Sequence, residues 1–325
     1  MIRKVLLIWY TIGSNFGDTF IYNTLCHALS ERNIQADYME VSSPCEAILK
    51  KANENDYLIF AGGGIIERYI PNVIRYFKED FSLLKVPYGV VGLGVGSFDY
   101  SQYKEELKFW IENAKFFYTR DEYTTQRLYD TCGELSNIST GVDVVWGNKK
   151  IIINNNVHRK NRGVNLRNVP YLDIWADMDW SSLRNILIKH GFNKDISDQS
   201  EIKLIAGDES AGYTPSKTLA EIGQCELIIA MRYHVVLVAA ANGIPVIPIM
   251  YCPKVENLAK QIGIRECSVY VNEINRLDKV IDEVIDRRKD IEILLRKSYD
   301  TLNSRARQVI ENVVDKICSE IVRDK

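Results

Sequence analysis

No stretch of this sequence reaches the roughly 18–20 consecutive apolar residues that a membrane-spanning helix requires. The early apolar run at 5–10 is too short for the core of a secretion signal, and no small-residue cleavage site follows it, so it reads as a first strand. Cysteine is sparse and unpaired in pattern: seven residues, at 26, 45, 132, 225, 252, 267 and 318, none in a CxxC pair. That spacing argues against a disulfide framework or a structural zinc site and fits a reduced cytosolic setting. Charge of one sign is also missing. With 41 Lys and Arg against 43 Asp and Glu, the net charge is -2, which removes the global basic field expected of a nucleic-acid binder. HExxH, HxH and carboxylate clusters are absent, so no resident metal is expected. Repeats and low-complexity tracts are absent too.

What is present is an ordinary globular balance over 325 residues, 46% hydrophobic and 26% charged, with enough chain for two cores. Short apolar runs alternate with longer amphipathic segments. Strands are predicted at 5–9, 36–40, 57–60, 88–91 and 116–118, with helices between them at 18–32, 45–53, 72–84, 102–112 and 122–129. The strands are too continuously apolar for one-sided sheets and read as parallel strands covered on both faces. After a break rich in Gly, Asn and basic residues, the alternation restarts. Strands are predicted at 163–166, 202–206, 227–230, 246–249 and 269–271, and helices near 181–190, 216–223, 235–242, 255–262 and 273–287. The reading is α/β: two Rossmann-like doubly wound domains, 1–147 and 148–289, facing each other across a cleft in a GT-B-like arrangement. Residues 290–325 form an amphipathic helical tail expected to pack back on the first domain.

Open parallel sheets bind ligands outside the carboxyl ends of their strands, so residues just past strand ends matter most. "YTIGSNFGD" after the first strand offers Gly13 and Gly17 for a tight turn or close approach, and Asn15 and Asp18 as helix caps or ligand-facing groups. It lacks the GxGxxG dinucleotide fingerprint. "FAGGGIIE" places Gly62, Gly63 and Gly64 after the third strand, and "VVGLGVGSFD" places Gly92, Gly94 and Gly96 after the fourth. Both serve equally as tight turns or as bare amides lining a cleft. "TRD" at 119–121 reads as a cap Asp121 with an ion-paired Arg120, the alternative being a cleft-lining Arg120.

In the second half, "GVNLR" leaves Arg167 at a strand end, "MRYH" leaves Arg232 and His234 at another, and "MYCPK" leaves Tyr251 and Lys254 past a third. Three cations and a histidine on one sheet edge, with a helix N-terminus beside them, describe a site for a small, multiply charged anion. His234 adds a group able to move a proton near neutral pH.

These strings, in this order over roughly the first 265 residues, resemble the polysaccharide pyruvyl transferase family: "GSNFGD", "GGG", "GLGVGS", "TRD", "GVNLR" and "MRYHVVLVAAANGIPVIPIMYCPK". The resemblance implies a GT-B-like fold and transfer of pyruvate from phosphoenolpyruvate to a hydroxyl pair of a sugar in a cell-surface polysaccharide or its precursor, as a ketal. It implies donor contacts from Arg167, Arg232 and His234. The reading of the strand ends sets Lys254 beside them; protonated His234 is then the candidate to protonate the enol carbon or to assist phosphate departure, and Asp18 the candidate base for the acceptor. No cofactor is implied beyond phosphoenolpyruvate as donor substrate. The implied partner is a saccharide acceptor, lipid- or nucleotide-linked, handled in the cytoplasm or at the inner face of the membrane, with peripheral membrane contact compatible. Two alternatives stay open. One is a nucleotide-sugar glycosyltransferase of the same architecture. In that alternative Glu256 is the carboxylate placed to recognise the nucleotide's ribose or base. The other is a diverged non-enzymatic sugar-binding member.

Overall fold

The structure, a computed structural model, describes residues 3–9, 15–64, 81–153, 159–167, 179–197, 201–205 and 214–323. The chain divides into two compact units. The first comprises residues 1–13, 18–148 and 302–325, the second 14–17 and 149–301.

The first unit is built on strands β1 (Arg3–Trp9), β2 (Ile34–Glu40), β3 (Tyr57–Gly63), β4 (Tyr88–Leu93), β5 (Phe117–Thr119) and β6 (Ile138–Thr140). They form a parallel sheet of order β2-β1-β3-β4-β5-β6. Val5, Leu6, Leu7 and Ile8 are all fully buried, because β1 is covered on both faces, and that is why its sequence shows no polar alternation. Helices α1 (Phe16–Ser30), α2 (Cys45–Ala52), α3 (Lys104–Asn113) and α4 (Glu122–Cys132) connect the strands. In α2 the buried residues are Ile48, Leu49 and Ala52, at helical spacing, with lysines closing the last turn. The helix expected at 72–84 falls largely outside the described residues, and its end, Phe81–Leu83, is a 3-10 turn. Strand β6, three residues long, escaped the sequence reading because so short a run carries little pattern.

The second unit carries β7 (Asn161–Arg167), β8 (Lys194–Asp195), β9 (Glu201–Ile202), β10 (Cys225–Ala230), β11 (Val246–Met250) and β12 (Val269–Tyr270). The main path is β12-β11-β10-β7-β8, all parallel. One expectation is corrected here. The strand read at 202–206 is the two-residue β9, and it pairs antiparallel with the end of β7. The next parallel neighbour of β7 is β8, too short to announce itself in the sequence.

Helices α5 (Trp180–Lys189), α6 (Pro215–Gly223), α7 (Tyr233–Ala241), α8 (Pro253–Gln261) and α9 (Leu277–Asp286) complete the unit. Every residue of α7 except His234 is buried, which fits its all-round apolar sequence. The final helix, α10 (Arg288–Arg323), contributes its residues from Leu302 onward to the first unit. There Asn303 Nδ2 donates to the Trp146 carbonyl at 2.7 Å, and Lys115 meets Glu320 at 3.3 Å. No helix among the described residues is long and apolar enough to cross a membrane.

Candidate functional site

In the second unit β7, β10 and β11 are sheet neighbours running in one direction. Their carboxyl ends therefore lie side by side, about 5 Å apart from strand to strand. Arg167 is the last residue of β7, Arg232 follows β10, and Tyr251 follows β11. The sheet thus gathers at one edge what the sequence scatters over nearly ninety positions.

Backbone contacts fix this edge. The Met231 amide donates to the Asn165 carbonyl at 2.9 Å, and the Arg232 amide reaches Asn165 Oδ1 at 3.4 Å. Asn165 is 1% exposed and donates its own amide nitrogen to the Ile196 carbonyl at 3.2 Å. It acts as a brace between the ends of β7 and β10. Sequence reading passed over it, although a polar residue inside an otherwise apolar strand was the available signal.

The charges are placed against local preference. Arg232 occupies the N-cap of α7 and Lys254 the first turn of α8. Helix N-termini favour anions, and α7 has no acidic residue in its first turn. Arg167 Nε is buried and makes no hydrogen bond among the described residues. Burial raises the pKa of the Tyr251 hydroxyl, and the positive charges of Lys254, Arg167 and Arg232 each pull it back down. One hydroxyl, on a half-buried side chain, therefore lies in the field of all three cations. Guanidinium and ammonium groups of this kind bind carboxylate and phosphate oxygens.

His234 sits in the first turn of α7, half-buried, its ring 4.9 Å from that of Tyr233 at 77°. Gly17, which counts with the second unit, also lies against the ring. Asn15 is placed as the cap of α1, its Oδ1 accepting from the Gly17 amide at 3.1 Å.

Asp18 and the other glycine turns belong to the first unit. Gly62 and Gly63 have φ of +59° and +70°, which a side chain would resist. Asp18 is buried, and its Oδ1 lies 3.4 Å from where a Cβ on Gly63 would be. Gly64 is half-buried in the following turn, and Gly96 is buried. The Gly94 amide, a candidate ligand donor in the sequence, is used internally: it donates to the Gly63 carbonyl at 3.0 Å. Arg120 covers the α-carbon of Gly94 and pairs with Asp121 at 3.3 Å. Asp121 caps α4, accepting from the Thr124 amide at 2.8 Å. Gly13 lies outside the described residues.

Glu256 is committed elsewhere. Its Oε1 meets Lys260 at 2.9 Å and Arg265 at 3.2 Å. Partial burial alone would raise its pKa, but hydrogen bonds from Lys260, Tyr270 and Arg265 hold it below the usual glutamate value.

Residues 15–253 match the family model for polysaccharide pyruvyl transferase. No curated protein matches the chain in sequence. Among solved structures, the chain is similar to UDP-GlcNAc 2-epimerase from Neisseria meningitidis bound to UDP-GlcNAc, with TM-score 0.61 and 11% identity over 96% of this chain and 100% of that one. The Methanocaldococcus jannaschii UDP-GlcNAc 2-epimerase in complex with UDP-GlcNAc and UDP gives TM-score 0.60 and 13% identity, covering 88% and 93%. Anabaena HepE in complex with UDP and glucose gives TM-score 0.58 and 9% identity, covering 98% and 100%. At such identities the likeness establishes the fold: two Rossmann-like domains of GT-B type.

Proposed function

The chain belongs to the polysaccharide pyruvyl transferase family, and from that membership we propose that it moves pyruvate from phosphoenolpyruvate to two hydroxyls of a saccharide, forming a ketal. The observation that carries the donor assignment is the buried, unbonded Nε of Arg167, set on the same sheet edge as Arg232 and Lys254. Phosphoenolpyruvate brings a carboxylate and a phosphate, and guanidinium groups bind both bidentately. In this reading Arg167 and Arg232 clamp the donor, and Lys254 adds charge at the α8 N-terminus.

The chemistry then balances as follows. A proton delivered by His234 goes to the donor's methylene carbon, making it a methyl group and leaving positive character on the central carbon. The first sugar hydroxyl bonds to that carbon and loses its proton, which replaces the one spent. Phosphate departs with the electrons of its C–O bond, the second hydroxyl closes the ketal, and its proton leaves with the phosphate. The cations stabilise charge that shifts between carboxylate and phosphate during these steps.

A nucleotide-sugar glycosyltransferase reading draws on the UDP-binding structural relatives. It is disfavoured by Glu256, whose carboxylate is already paired with Lys260 and Arg265. Calorimetric titration with phosphoenolpyruvate, UDP-sugars and GDP-sugars separates the two. Saturable phosphoenolpyruvate binding that Arg232→Ala abolishes is the expected result. Binding of a nucleotide sugar alone would overturn the pyruvyl reading.

A further inference from the structure

Gly17 lies on the first turn of α1, and its φ is not in the left-handed region. Its backbone conformation would therefore accept alanine. Space is what excludes a side chain. A Cβ built on Gly17 would fall 1.7 Å from His234 Nδ1 and 2.2 Å from each of Cε1 and Cγ. The imidazole thus rests on a bare α-carbon. The two flanking ring atoms are only slightly more distant than Nδ1, whereas an approach along the ring plane would leave them distinctly further off. Gly17 therefore meets a face of the ring, over Nδ1, and the in-plane directions of both nitrogens stay clear of it. The nearly perpendicular ring of Tyr233, at 4.9 Å, gives a second restraint. Asn15 holds the Gly17 backbone by accepting its amide at 3.1 Å.

We propose that Gly17 is a positioning residue for His234: its missing side chain is the seat that sets the plane in which the imidazole exchanges a proton with the donor. This rests on the pyruvyl-transfer reading of the site. Proton transfer depends steeply on alignment. A methyl group at position 17 displaces the ring while leaving the charges of Arg167, Arg232 and Lys254 in place.

The test uses the full chain with Gly17→Ala, alone and combined with His234→Ala. In Gly17→Ala, kcat is expected to fall about 100-fold, while KM for phosphoenolpyruvate changes less than about threefold. The His234 ring signals in a ¹H–¹³C NMR spectrum are expected to shift. Thermal melting gives a readout independent of chemistry. Gly17→Ala should lower Tm when the imidazole is present and leave or raise it in the His234→Ala background, because alanine is the better helix former once the ring is gone. Should Gly17→Ala fail to fold, recovery of folding in the double variant supports the seat, and no recovery overturns it. Unchanged kcat with unmoved ring signals, or the same Tm change in both backgrounds, also overturns it. Absence of phosphoenolpyruvate turnover in the wild type would instead count against the proposed reaction, while the NMR and melting results still decide whether Gly17 seats His234.

Discussion

Arg167 and His234 divide the labour of the proposed reaction, and single substitutions should separate them. Arg167→Ala removes a guanidinium that the proposed reaction assigns to the donor, so affinity for phosphoenolpyruvate should weaken roughly 10- to 100-fold, as read by calorimetry. His234→Ala should leave that affinity nearly intact and lower turnover by about 100-fold or more, as read by single-turnover phosphate release. Retained turnover in His234→Ala would remove the acid role. The cations of this site were legible in the sequence because Arg232 and Lys254 follow apolar strands and Arg167 closes a shorter one, and the strand pattern locates the sheet edge. Asn165 was not legible as a site residue, and Gly17 was legible as a place of close approach but not as the neighbour of His234. A buried asparagine and a glycine reveal what they support only once Met231, Arg232 and His234 are brought against them.

Elements are held by a few polar contacts whose loss has a predictable sign. Glu226 on β10 accepts from Arg162 of β7 at 3.0 Å and from Arg288 at the start of α10 at 2.8 Å. Partial burial alone would raise its pKa, but the two arginines hold it below the usual glutamate value. A folded pKa below the unfolded value means the ion pairs stabilise the protein above about pH 4.3, and that contribution is lost as pH falls through the folded pKa. Glu226→Gln should therefore melt lower at neutral pH and show a flatter decline of Tm on acidification between about pH 5 and 3. An unchanged acid slope would contradict this. At the start of α4, Asp121→Ala removes a cap worth about 1–2 kcal/mol and also the carboxylate beside buried Arg120. Asp121→Asn keeps a capping oxygen, so it should lose less stability than alanine in urea unfolding. Glycine turns can be read in the same way. Gly133→Ala meets nothing within 4 Å, so only its backbone, at φ +83° and ψ 172° in a region held essentially by glycine, opposes the side chain, a cost of about 1–3 kcal/mol. Gly62→Ala, at φ +59°, adds a collision with Ile21 at 2.9 Å to its backbone strain, so both variants should unfold at lower urea than the parent chain.

At the scale of the whole molecule, the last helix returns the end of the chain to the first unit. Leu302, Ala306, Val313, Val314, Ile317 and Ile321 are all nearly or fully buried, and Ala306 and Ile310 pack over Gly147. A chain ending at Thr301 keeps every strand of the first sheet but uncovers this apolar surface. Calorimetry should then show loss of one cooperative transition, with that of the second unit persisting. Two unchanged transitions would show that residues 302–323 are dispensable to the first unit. Ala306→Leu is a milder probe, and overpacking against Gly147 should cost about 1–3 kcal/mol.

The sequence by itself determined the alternation of strands and helices, the parallel and doubly covered character of most strands, and the appearance of Arg167, Arg232, His234 and Lys254 near strand ends. These follow from periodicity and turn chemistry, which residues express with their chain neighbours. The tertiary structure alone decided that β9 runs against β7, that Glu256 is tied to Lys260 and Arg265, that Asn165 braces two strand ends, and that Gly17 carries the ring of His234. Each of these depends on how far two segments stand apart after folding. That distance is set by packing among residues remote in the chain, and no local pattern records it.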